Sequence, residues 1–277
     1  MVCPNSTKID DSMKPSHSHS HNRSAWDRLA KNHDRLAKPA KDQDFTNPLA
    51  TVDGSGWLGG DIKGKRLLCL AAGGGRQGPI YAAAGAEVTV VDLSPAMLEL
   101  DREVAAERGI NLRTIEASMD HMPSLNEAEF DIVIHPVSTC YVPDVRPVFA
   151  EVARVLRPGG VYISQHKQPA SLQASIKPEA DGKYRIEAPY YLEHPLPASA
   201  EPNLIREEGT HEFVHRLEDL LGAMCRAGLF IEDITEPMHA KPDALMGTFA
   251  HRSQFLPAYL RVKARRAGET TSNLLMV

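Results

Sequence analysis

A chain of 277 residues with 42% apolar and 24% charged content is long enough to bury one α/β core without staples, and its cysteines (Cys3, Cys69, Cys140, Cys225) are too scattered for a disulfide framework or a metal pattern. It holds no apolar run of the roughly 18 residues a membrane span requires, and its polar start lacks the apolar stretch of a signal peptide, so a soluble cytoplasmic protein is expected. Net charge is −5 with no dense basic block ahead of Arg261, which argues against duplex nucleic acid and for a small-molecule partner.

Residues 1–22 are rich in Ser, His, Lys and Asn and read as a disordered tail. His17, His19 and His21 alternate with serines there, a pattern that fits a solvated low-complexity segment better than a metal chelate. Residues 23–62 read as a helical arm. Ser24 can cap a helix in which Trp26, Leu29, Ala30, His33, Leu36 and Ala37 recur at helical spacing, and Pro39 ends it. Pro48, Gly54, Gly56, Gly59 and Gly60 then mark a mobile connection.

From Arg66 the chain alternates. Short apolar or β-branched runs at 66–71, 86–91, 111–116, 130–135 and 161–166 read as buried strands. Helices are predicted after the glycine loop as far as residue 84, at 94–108 with Ser94 as cap and Pro95 in the first turn, and at 145–156. This alternation across 63–166 predicts a doubly wound parallel sheet. Residues 167–210 break the rhythm and read as a cap insertion, with a short strand pair over 184–192. A helix at 212–227, a strand at 229–235, a loop at 237–255 and a strand at 258–264 complete the core within 211–266. That ending predicts seven strands with one reversed, followed by a tail at 267–277.

The sequence GGGRQG at 73–78 lies between a predicted strand and a predicted helix, where glycine permits a sharp turn and close approach of a ligand. Amides at the helix start would face that ligand. Asp92 ends the second strand, nineteen residues after Gly73, where a carboxylate can accept bonds from both hydroxyls of a ribose. Gly73, Gly75 and Gly78 also satisfy G-x-G-x-x-G, so a nicotinamide-dependent oxidoreductase stays open on the loop alone.

Five stretches, taken in order, go further: LLCLAAGGG at 67–75, VTVVDLSPAML at 88–98, EASMDHMP at 116–123, FDIVI at 130–134 and EVARVLRPGGV at 151–161. Together they resemble the class I S-adenosylmethionine-dependent methyltransferases, in particular the small-molecule group that includes the ubiquinone-biosynthesis methyltransferases. The chain departs from that pattern at Cys69, where an acidic residue is usual, at Ala71, where glycine is usual, and at Ser118, where Asp is frequent. Cys69 and Ala71 motivate a third reading, a binding protein for S-adenosylmethionine without turnover.

The resemblance implies a Rossmann-like fold, S-adenosylmethionine as cofactor, and in-line methyl transfer to O, N, S or C of a small acceptor. By position, Ala71, Ala72 and Gly73 would pass the methionine moiety, with Gln77 as a polar contact. Asp92 would hold the ribose, Leu93 and Met97 would pack on the adenine, and Ser118 and Met119 would meet its edge. His135 and Pro136 would border the sulfonium. Alignment supplies most of such a reaction, and a base is needed only where the acceptor must lose a proton. His135 and His166, at predicted strand ends, are the candidate bases. Tyr141, Tyr190, Tyr191 and His194 are candidates for the acceptor pocket, and Trp26, Asp27, Ala30, His33 and Asp34 resemble a helix that closes over the cofactor. Neither a metal site nor an oligomeric state is indicated.

Overall fold

The computed structural model describes residues 15–32, 34, 37–199 and 205–268. Seven strands form one sheet in the order β3-β2-β1-β4-β5-β7-β6: β1 Arg66–Leu70, β2 Glu87–Asp92, β3 Arg113–Glu116, β4 Phe130–His135, β5 Leu156–Lys167, β6 Leu229–Thr235 and β7 Tyr259–Arg266. The pairings among β1 to β5 are parallel, while β7 runs antiparallel to both β5 and β6. This is the Rossmann-like, doubly wound sheet with one reversed strand. β1 explains why the sheet sits between layers. Leu68 and Leu70 pack on one face with Phe149 and Tyr162, and Leu67 and Cys69 on the other with Tyr81 and Ile132. Both faces are apolar, so both must be covered.

The crossovers are α3 Gln77–Ala83, α4 Pro95–Arg108 and α5 Arg146–Val155. The strand order reverses between β1 and β4, which opens a crevice at the carboxyl ends of those strands.

Several expectations are corrected. Helix α1 spans Pro15–Lys31, so residues 15–22, expected as tail, form its first turns; residues 1–14, His33 and Leu36 lie outside the described residues. The stretch expected as a mobile connection carries a 3-10 turn at Asp42–Phe45 and the short helix α2 Pro48–Val52. The predicted strand pair at 184–192 is reduced to one bridge, Ala174 to Ile186, behind α6 Pro169–Gln173. The helix expected over 212–227 begins later, as a π turn at Glu218–Gly222 leading into α7 Ala223–Arg226. Residues ahead of it are drawn out by tertiary partners: Phe213 N–H donates to the Cys140 carbonyl, and the Glu212 carbonyl accepts from Leu196 N–H. Helix α8, Phe249–Arg252, interrupts the expected loop at 237–255. Among the described residues no helix is long and apolar enough to cross a membrane.

Candidate active site

The loop after β1 needs its glycines because α4 lies directly behind it. A Cβ on Gly73 would sit 2.8 Å from Met97 Cβ, and one on Gly75 would meet the Leu100 carbonyl oxygen at 2.7 Å. Ala71 opens the loop with φ of 48°, in the left-handed region, which costs a side-chain-bearing residue roughly 1–2 kcal/mol. Two carboxylates hold the loop from beneath. Gly73 N–H donates to Asp92 Oδ2 at 2.9 Å and Gly74 N–H to Asp101 Oδ2 at 3.0 Å. These two amides precede α3, whose first turn begins at Gln77.

Asp92 also accepts from Ser94 N–H through Oδ1 at 2.9 Å. Burial pushes its pKa up to about 6 against the opposing pull of these backbone bonds, and burial pushes Asp101 to about 7. Ser94 caps α4 by accepting from Met97 N–H, and its hydroxyl donates to Asp27 of α1 at 2.6 Å.

Above this floor lies a cavity of about 590 Å³. Ala71, Ala72, Gly73, Gln77, Asp92 and Leu93 all line it, as do Met97, Ser118, Met119 and Pro136. Gln77 presents a buried Oε1 with no hydrogen-bond partner. Ser118 is oriented by a 2.5 Å bond to Asp120, which pairs in turn with His19 of α1. Trp26 of α1 reaches the cavity and meets Tyr141 edge-on, with ring centroids 5.5 Å apart. Ala30 packs against Met97.

The two histidines are placed otherwise than expected. His135 is 1% exposed and bonded on both ring nitrogens, Nδ1 to Tyr162 Oη at 2.7 Å and Nε2 to Ser138 Oγ at 2.6 Å. Burial pushes its pKa down to about 3, and its edge reaches only a smaller cleft of about 310 Å³. His166 is fully buried between Thr139 Oγ1 and Ser164 Oγ, and burial lowers its pKa as well. With no free ring nitrogen, neither is arranged as a base. Tyr190, Tyr191 and His194 also lie off the cavity: the tyrosines border a separate surface depression and His194 is exposed.

Sequence reasoning missed His19, Asn22, Gln165, Lys167, Glu207 and Tyr259, all of which line the cavity. His19 and Asn22 sit in a stretch whose polarity hides its helix. Lys167 alone carried a signal, as a charge directly after a buried strand.

Residues 68–164 match the family described as a methyltransferase domain. An uncharacterized methyltransferase of Bacillus subtilis, YbaJ, is 38% identical over 177 residues, which is 63% of this chain and 69% of that protein. A ubiquinone biosynthesis O-methyltransferase of Bordetella avium is 27% identical over 176 residues, 62% of this chain and 65% of that one. Among solved structures, an S-adenosylmethionine-dependent methyltransferase from Mesorhizobium loti superposes with a TM-score of 0.56 at 25% identity, covering 74% of this chain and 93% of that one.

Proposed function

The chain belongs to the class I S-adenosylmethionine-dependent methyltransferases, and from that premise we propose that it methylates a small molecule held at the carboxyl edge of its sheet. The cavity carries the reading: one space joins the glycine loop, the carboxylate that ends β2 and an orphaned buried acceptor. Its volume of about 590 Å³ suits small-molecule ligands.

The residues present fit the cofactor. Asp92 keeps lone pairs for the ribose hydroxyls, and Leu93 and Met97 offer apolar surface to the adenine. Ser118 and Met119 would meet its edge, and a turn of the Gln77 side chain, whose buried Oε1 has no partner, would let it accept from the amino group of the methionine moiety. When bound, S-adenosylmethionine supplies a methyl carbon activated by its sulfonium. The chain's own work is to hold that carbon in line with the acceptor and to exclude water, which α1 does by closing Trp26 over the cavity. The loop argues against a dinucleotide: two of its amides are already bound to Asp92 and Asp101, so a pyrophosphate there would face carboxylates instead of free donors.

Calorimetry with S-adenosylhomocysteine and NAD tests the assignment. The wild-type chain should bind the first and not the second, with affinity falling below pH of about 6 as Asp92 gains a proton. Charge-assisted bonds contribute roughly 1.5–3 kcal/mol each, so Asp92→Ala should weaken binding about 10- to 100-fold or more. A preference for NAD, or an unchanged affinity in the variant, contradicts the proposal.

A further inference from the structure

The cavity walls follow the order of the sheet. Met119 follows β3, Asp92 ends β2, the glycine loop follows β1, Pro136 follows β4, Lys167 ends β5 and Tyr259 opens β7. Neighbouring strands lie about 4.8 Å apart, so Lys167 stands roughly 10 Å across the sheet from the glycine loop. On the methyltransferase reading, on which this inference rests, the cofactor covers β3, β2 and β1. The space over β4, β5 and β7 is left for the acceptor.

That end of the cavity carries the densest charge in the core. The Tyr141 hydroxyl donates to Glu207 Oε2 at 2.6 Å. Lys167 Nζ donates to the same carboxylate and, at 2.9 Å, to Glu212. Lys167 is 5% exposed and Glu212 fully buried, and Arg206 also reaches Glu212, at 3.4 Å. Tyr141, Lys167 and Glu207 face the cavity, whereas Glu212 stands behind them. Burial opposes the charge on Lys167, yet the anions around it hold its pKa above the ordinary value. A buried ammonium left without a partner is strongly destabilising, and here two carboxylates share it. If Glu207 is neutralised, Glu212 still holds Lys167.

We propose that Glu207 receives the proton of a methyl acceptor carrying an O–H or N–H group, with the Tyr141 hydroxyl as the relay. The acceptor's heteroatom spends a lone pair on the bond to the methyl carbon, and the pair of the breaking carbon–sulfur bond stays on sulfur. Its O–H or N–H pair becomes a lone pair as the proton passes to the Tyr141 oxygen, while Tyr141 gives its own proton to Glu207 Oε2. The sulfonium's positive charge and the carboxylate's negative charge vanish together, so the enclosed cavity gains no net charge. The surrounding walls, Trp26, Val137, Tyr141, Val142 and Tyr259, are aromatic or aliphatic. They suit a phenol or an aromatic amine better than a sugar or an amino acid.

The test uses the full chain saturated with S-adenosylhomocysteine and two probes of the same shape. 4-Nitrophenol reports its own ionisation by visible absorbance, and 4-nitroanisole lacks the proton. The wild type should bind 4-nitrophenol at least about tenfold more tightly than 4-nitroanisole, and the bound phenol should ionise at higher pH than the free one, because the Glu207 carboxylate behind Tyr141 opposes a second negative charge. Glu207→Gln and Tyr141→Phe should each abolish that preference and the spectral shift while keeping S-adenosylhomocysteine affinity within about twofold of wild type. Equal binding of the two probes, no saturable binding of 4-nitrophenol, or a preference that survives Glu207→Gln overturns the proposal. A wild-type chain that fails to bind S-adenosylhomocysteine removes the methyltransferase reading and this inference with it, a result distinct from the others.

Discussion

Asp92, Asp101 and His135 are ionisable groups that folding perturbs in opposite senses. The carboxylates rise from 3.8 to about 6 and about 7, so the folded chain binds extra protons and both groups cost stability as pH climbs from about 4 through those values. His135 drops from 6.5 to about 3, so its folded form resists protonation. Its contribution is complete above pH 6.5 and is lost as pH falls below it. Between pH of about 6.5 and 5.5 that loss amounts to about 1 kcal/mol. Because the carboxylates offset it in the wild type, the observable is a difference between two chains. His135→Gln, which keeps hydrogen-bonding capacity without a charge, should lose about 1 kcal/mol less stability than wild type over that interval in urea titrations. Parallel curves for the two chains would show that His135 does not titrate in this way. The sequence placed Asp92 correctly at a strand end because a β-branched run closed by a carboxylate marks that position locally. It misjudged His135 and His166 because a strand end does not reveal which face a side chain takes, and the hydroxyls of Tyr162 and Thr139 that engage them come from other elements.

Helix α4 was legible from its ends. Ser94 and Pro95 open it, and Gly109, with φ of 63°, closes it in the left-handed conformation that glycine adopts without penalty. Its start also carries a tertiary load: the Ser94 hydroxyl accepts from Met97 N–H and donates to Asp27, which further accepts from Ala96 N–H. Loss of an N-cap hydroxyl costs about 1 kcal/mol, and here the bond to α1 goes with it. Ser94→Ala should therefore lower the urea midpoint by the equivalent of about 1–2 kcal/mol with an unchanged m-value. A loss below a few tenths of a kcal/mol would mean that the cap hydroxyl and its bond to α1 do not contribute to stability. Other elements were illegible for an equally physical reason. The first turns of α1 read as tail because histidine and serine give no apolar stripe, although Asn22 and Ser18 are buried there. The shortened helix before β6 reflects tertiary bonds to Glu212, Phe213 and His215 that local propensity cannot register.

At the scale of the molecule, the parallel half of the sheet follows from alternation alone, and its reversed strand from the order of the last elements. What alternation cannot convey is how the cavity is closed. That depends on α1, and one of the ties that hold α1 is Asn22, which is 2% exposed. Its amide donates to the Tyr141 carbonyl at 2.9 Å and the His211 carbonyl at 3.1 Å, and its oxygen accepts from His211 N–H at 2.7 Å. One side chain thus ties the helix to both segments that flank the Lys167 end of the cavity. Asn22→Ala orphans these groups, at roughly 1–3 kcal/mol for each one left buried without a partner. The chain can avoid that cost by letting α1 lift while the sheet stays folded, since local opening needs only the contacts of the segment that opens. Hydrogen exchange should therefore accelerate across residues 15–31 in the variant, with protection unchanged in β1 and β4. Affinity for S-adenosylhomocysteine should fall in parallel, because Trp26 and His19 leave with the helix. Exchange that quickens equally in the sheet would make α1 an integral layer of the fold, and closure of the cavity would then require a different moving part.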